Sequence, residues 1–149
     1  MADKAQLKKL AISRLRAAKI LLNKGDPDGA YYIAGYVLEL ALKAVICKNL
    51  NLPNYPDTGN KTTPRDVSEI FRTHNHDILL TLSGLASELS LSNAPTRLFE
   101  NWSELTAWKP GERYEPVGSH NPAQVQRMID ALEEKPYGVL IWIRSKRKW

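Results

Sequence analysis

The stretch Asp26-Pro27-Asp28-Gly29-Ala30-Tyr31-Tyr32-Ile33-Ala34-Gly35-Tyr36-Val37-Leu38-Glu39-Leu40-Ala41-Leu42-Lys43-Ala44-Val45-Ile46-Cys47 decides the fold of this chain. It joins a sharp helix start to an almost wholly apolar helix. Asp26 carries the side chain of an N-cap, Pro27 suits a first helical position where its missing N–H is not needed, and Gly25 suits the end of a preceding helix. From Ala30 to Cys47 the only charged residues are Glu39 and Lys43, four apart and in the favourable order. Most of the helix circumference therefore faces protein, which predicts a central helix in an all-α bundle. The run has about the length of a membrane span. Its two charges, three tyrosines and mid-helix Gly35 favour a protein core over lipid, so no membrane association is expected.

Outward from this helix, the apolar spacing predicts further helices. Leu7, Ala11, Leu15, Ala18 and Leu22 share one face of a first helix. Past about Asn49 the prolines of Asn51–Pro64 end the central helix in a long surface loop. A short helix is expected over Asp66–Thr73, then a third amphipathic one with Ile78, Leu79, Leu82, Leu85 and Leu89 inward. Ser92-Asn93-Ala94-Pro95 has the form of a cap before a helix with Leu98, Phe99, Trp102 and Leu105 as its stripe. Trp108–Ser119 is expected to be a loop. Asn121-Pro122-Ala123-Gln124 has the form of an N-cap, first-turn proline and capping-box glutamine, opening a last helix striped by Val125, Met128, Ile129 and Leu132. Pro136 and Gly138 should interrupt it before Val139, Leu140, Trp142 and Ile143 resume. With no strand alternation and no repeat, the expected architecture is an up-and-down bundle of about five helices in a single domain spanning residues 1–149.

The order Arg14-Leu15-x-x-Ala18-x-x-Leu21-Leu22, a short Gly/Asp turn, then Gly29-Ala30-Tyr31-Tyr32-Ile33-Ala34-Gly35-Tyr36-x-Leu38-Glu39-Leu40-Ala41-Leu42-Lys43-Ala44 resembles the HEPN superfamily over the first third of the chain. The resemblance implies a helical bundle that often dimerises. It also implies one of two functional outcomes. Some members are metal-independent endoribonucleases of toxin or defence type. Others are catalytically inactive and bind nucleotide, RNA or a partner protein such as a nucleotidyltransferase.

Length and composition set independent bounds. A chain of 149 residues with one cysteine needs neither disulfide nor metal to build a core. Cys47 inside the apolar helix fits a small buried hydrophobe in a reducing, cytoplasmic setting. The N-terminal segment is charged and amphipathic, so no signal peptide or anchor is expected. The net charge of +5 is unevenly spread, with +6 over residues 1–24, +4 over residues 144–149 and −5 between them. Brought together in an antiparallel bundle, the two ends would form one positive surface able to attract RNA phosphates. Lys8, Lys9, Arg14 and Arg16 are the candidate substrate-binding residues of the first helix, against the alternative of a solvated helix face. The basic tail 144–149 is expected to fray. Trp149 is the aromatic placed to stack on a base.

Three constellations bear chemistry. Arg113-x6-His120 falls within the R-x4-6-H spacing of catalytic HEPN proteins, and the resemblance implies His120 as acid/base and Arg113 as phosphate clamp. Tyr114 follows Arg113, and Pro116 and Gly118 interrupt the span, which departs from the catalytic pattern. An arginine–tyrosine pair after a tryptophan also occurs in members without the motif, so Arg113 as a brace of the bundle is the competing reading. In Arg72-Thr73-His74-Asn75-His76-Asp77 the two histidines lack third and fourth ligands, so no metal is expected. Asn75 or Asp77 should cap the next helix, and His76 is a candidate for lining the groove of His120. Within the apolar helix, Tyr36 and Glu39 have a structural or orienting role, Glu39 needing Lys43, Arg14, Arg113 or a tyrosine hydroxyl as partner. No phosphate-binding glycine loop or dinucleotide fingerprint occurs, and no cofactor is expected.

Overall fold

A computed structural model describes residues 2–56, 62–90, 95–147 and 149. Among them are eight α-helices: α1 (Lys4–Asn23), α2 (Pro27–Asn49), α3 (Arg65–Phe71), α4 (His76–Leu82), α5 (Ala86–Ser90), α6 (Thr96–Thr106), α7 (Pro122–Glu133) and α8 (Val139–Arg147). A 3-10 turn covers Pro110–Tyr114, and the described residues contain no strand. The all-α class expected from the sequence is therefore the observed one. The expectation of about five helices is corrected to eight among the described residues, several of them short. The largest single change is at Ser83-Gly84, where Gly84 adopts φ 77° and splits the expected third helix into α4 and α5. The expected break near Pro136 and Gly138 separates α7 from α8. Expected cap residues Ser92, Asn93 and Ala94, and part of the Asn51–Pro64 loop, lie outside the described residues.

α1 and α2 form an antiparallel hairpin whose turn is set by backbone chemistry. The Asp26 N–H donates to the Leu21 carbonyl at 2.9 Å and the Gly25 N–H to Leu22 at 3.2 Å, a Schellman closure with Gly25 at φ 87°. Asp26 then caps α2 by accepting the Gly29 N–H at 2.9 Å. The far end of α2 closes in the same way, with Asn51 at φ 53° and the Leu52 N–H on the Cys47 carbonyl at 2.8 Å. Asp3 and Gln6 make a complete capping box on α1, which the sequence reading did not anticipate. On α7 only half of the expected box is present, the Gln124 N–H donating to Asn121 Oδ1 at 2.8 Å.

α2 is the axis of the molecule, touching α1, α4, α7, α8 and the 3-10 turn. By length and composition it would pass for a membrane span, but 72% of its most apolar window is buried inside the bundle, so other helices already cover that apolar surface. Ala34, Val37, Leu38, Ala41, Leu42, Val45 and Ile46 are fully enclosed. Gly35 is required by a close approach: a Cβ there would overlap the indole of Trp108, which packs directly against α2. Ile78 and Phe99, expected inward, are exposed. The shorter α4 turns His76, Leu79 and Leu80 to the core, and α6 turns Leu98, Asn101, Trp102 and Leu105.

Candidate functional site

One stripe of α2 escapes burial. Tyr32, Ile33, Tyr36, Leu40 and Lys43 are half-exposed, and Glu39 lies beneath them. Over this stripe pass the segment before α4, carrying His74, and the 3-10 turn, carrying Arg113. Asn75 caps α4, as expected, by accepting the N–H groups of Asp77 at 2.9 Å and Ile78 at 3.1 Å. The cap fixes the backbone on either side of it, so that His76 turns inward and His74 stays outward.

Glu39 is 3% exposed and fully partnered: Lys43 Nζ donates to Oε1 at 2.7 Å, and His74 Nδ1 lies 2.8 Å from Oε2. Of its expected partners, Lys43 is the one present, and His74 joins it. A charge-assisted bond on each oxygen offsets the cost of burying the carboxylate. A carboxylate only accepts, so His74 Nδ1 is the donor of this bond. The His74 side chain is 48% exposed.

The tyrosines continue the stripe. The Tyr36 ring meets His74 edge-on at 6.3 Å and Trp108 at 4.8 Å, and its hydroxyl lies 3.3 Å from that of Tyr32. Burial, with the Tyr32 hydroxyl next, pushes Tyr36 up to about 12. The bond from Tyr36, reinforced by Arg113, holds Tyr32 below its ordinary value. Arg113 is exposed; its guanidinium lies 4.8 Å over the Tyr114 ring, and the Tyr114 hydroxyl, followed by that of Tyr32, raises it above its ordinary value. Tyr114 itself is 78% exposed.

His120 has a different setting. It is 7% exposed, stacked on Tyr31 at 4.2 Å, with Nδ1 2.8 Å from Asp28 Oδ1 and Nε2 3.0 Å from Glu112 Oε2. Asp28, in the first turn of α2, also accepts the backbone N–H groups of Gly118 at 2.7 Å and His120 at 3.0 Å. The Gly118 bond, followed by the His120 side chain, holds the Asp28 carboxyl below its usual range. The imidazole thus has an acceptor on each nitrogen and no lone pair directed to solvent. Two carboxylates beside it oppose the approach of a phosphate.

No family model, curated protein or solved structure matches this chain.

The remaining expected site residues are dispersed. His76 is buried at 4% exposure, its ring stacked on Trp108 at 6.0 Å with 23° between the planes, and its Nε2 has no hydrogen-bond partner. Burial lowers it to about 4, so it is a neutral core residue and lines no groove. Lys9, Arg14 and Arg16 lie on the exposed face of α1, and Lys19 there pairs with Glu133 at 2.7 Å. Lys8 and Arg144 stand 5.8 Å and 5.4 Å from the Trp149 ring, so the two basic chain ends do meet. Trp149 is buried between them instead of frayed and free to stack on a base. Among the described residues no contact joins these α1 cations to Arg113 or His120. No group of three or more His, Cys, Asp or Glu side chains among them is placed to hold a metal ion. The sequence presents His74 only as half of a His-x-His pair weighed for a metal or acid/base role, and Tyr114 only as the neighbour of Arg113; the signals were a histidine one residue before a helix cap and a tyrosine beside the motif arginine.

Proposed function

We propose that this protein is a HEPN-like helical module that binds RNA through the solvent-facing stripe of α2, with Arg113 as the phosphate clamp. The observation that carries the reading is the exposed arrangement of Arg113, Tyr114 and Tyr32: a permanently charged guanidinium with phenol rings beside it, one of them open to solvent. A cation for phosphate next to aromatic faces for bases is the usual means of holding single-stranded nucleic acid. The resemblance in residues 14–44 supplies the family context. His120 fits a structural part in this reading, tying the loop before α7 to the start of α2. The homodimer and the nucleotidyltransferase-type partner that the resemblance implies belong to the same proposal. Ile12 and Ile20, exposed beside Arg16 on α1, offer apolar surface for such an association.

Titration of a labelled single-stranded RNA with wild type and Arg113→Ala over a range of salt tests the reading. Wild type should bind with an affinity that falls as salt rises, and Arg113→Ala should bind more weakly with a log–log slope shallower by about one. Absence of binding at low salt, or an unchanged slope in the variant, would contradict it.

A further inference from the structure

His120 ties three parts of the chain together through one ring. Nδ1 lies 2.8 Å from Asp28 Oδ1 at the start of α2, and Nε2 lies 3.0 Å from Glu112 Oε2 on the 3-10 turn. Carboxylate oxygens accept and do not donate, so each of these contacts needs a proton between its two atoms, whereas a neutral imidazole carries only one. The arrangement therefore holds one proton more than a neutral ring between two carboxylates. An imidazole is ordinarily more basic than a carboxylate, so that proton makes the ring an imidazolium. Among the described residues neither Asp28 nor Glu112 pairs with a lysine or arginine that could take its place. The side chains of His120 and Glu112 are 7% and 20% exposed, so water is poorly placed to replace a lost bond.

The other groups around the ring do not supply the missing charge. Tyr31 of α2 stacks on it at 4.2 Å, and burial, with the Glu112 and Glu104 carboxylates next, pushes that phenol up and keeps it neutral. Glu104 of α6 pairs with Arg127 of α7 at 3.8 Å, and the Arg113 guanidinium lies over the Tyr114 ring. The two bonds of His120 differ in what else supports them. Asp28 is rooted in α2 and also accepts the backbone N–H groups of Gly118 and His120. A neutral ring thus keeps its one proton on Nδ1, facing Asp28. Nε2 then turns a lone pair on Glu112, and two acceptors at 3.0 Å repel. Glu112 is the side that yields.

We propose that Asp28, His120 and Glu112 form a proton-held latch, which docks the Pro110–Tyr114 turn on the start of α2 while the ring is an imidazolium and releases that turn when the proton leaves. The bond to Glu112 is complete at lower pH and is lost as pH rises. Arg113 and Tyr114 ride on the same turn, so their position relative to α2 follows the proton. The latch stands whether or not the α2 stripe binds RNA.

Amide hydrogen exchange, corrected for its intrinsic dependence on pH, and nitrogen NMR of the His120 ring are followed from about pH 5.5 to about pH 8.5, the range in which histidines ordinarily titrate. Wild type should show two ring N–H groups at the acid end and one, on Nδ1, at the alkaline end. The turn's own amides, Glu112 N–H on the Lys109 carbonyl and Glu115 N–H on that of Glu112, should lose protection by about tenfold or more across the range, as for one bond to a charged group. Gly118 and His120, whose amides rest on Asp28, should keep theirs. Glu112→Gln offers Nε2 a carbonyl oxygen when the ring is charged and an amide N–H when it is neutral, so its turn should stay docked throughout. His74→Gln removes the other half-exposed histidine, keeps a donor for Glu39 and should retain the wild-type profile; His76, lowered to about 4, does not titrate in this range. A ring with a single N–H at every pH, turn protection that is flat in wild type or in His74→Gln, or protection that still falls in Glu112→Gln overturns the latch.

Discussion

At the residue scale, the centre of the molecule depends on one missing side chain. Trp108 is 1% exposed and occupies the space that a Cβ on Gly35 would take. Gly35→Ala should therefore displace the indole, and with it Tyr36 and His76, lowering stability by about 2 kcal/mol or more in urea unfolding. His76 adds a pH dependence. Its pKa in the folded protein, about 4, lies below the ordinary 6.5, so the unfolded chain binds the proton first and stability falls as pH drops from 6.5 towards 4. The loss should reach roughly 3 kcal/mol across that window, and thermal unfolding of His76→Phe should show a correspondingly flatter profile. Asp28 and Glu134, both held below their ordinary carboxyl values, contribute only at the acid end of the window. The sequence marked Gly35, Trp108 and His76 separately but gave no sign that they meet. Contacts among residues 35, 76 and 108 are set by tertiary packing and have no local periodicity to reveal them.

At the element scale, the α1–α2 hairpin was legible because each of its devices is local: Gly25 for the left-handed turn, Asp26 for the cap, Pro27 for the first position. Asp26→Ala should cost about 1 kcal/mol, measurable as a shift in the urea midpoint at constant slope. The shorter helices were less legible. Leu79 and Leu85 both face the core, and the same leucine spacing that suits one continuous helix also suits two joined at Gly84. Asp28 does work that no spacing rule announces, since its carboxylate holds two backbone N–H groups and one ring nitrogen from a segment some ninety residues away. Asp28→Ala should release that segment while α7 stays folded. Hydrogen exchange should then show loss of protection at Gly118 and His120, with Val125–Leu132 unchanged.

At the scale of the whole molecule, the charge pattern was read correctly in part. The basic ends come together, yet they do so around a buried Trp149, and the candidate phosphate clamp lies in the acidic middle of the sequence on another face of α2. Net charge gives long-range attraction, whereas the place of binding is decided by where a cation and open aromatic faces coincide. Photo-crosslinking of a uridine-rich RNA at low salt, with the adducts located by peptide mass spectrometry, tests this most directly. The account predicts adducts on peptides containing Tyr32, Tyr36 or Tyr114, strongly reduced in Arg113→Ala; adducts confined to α1 and the residues around Trp149 would contradict it.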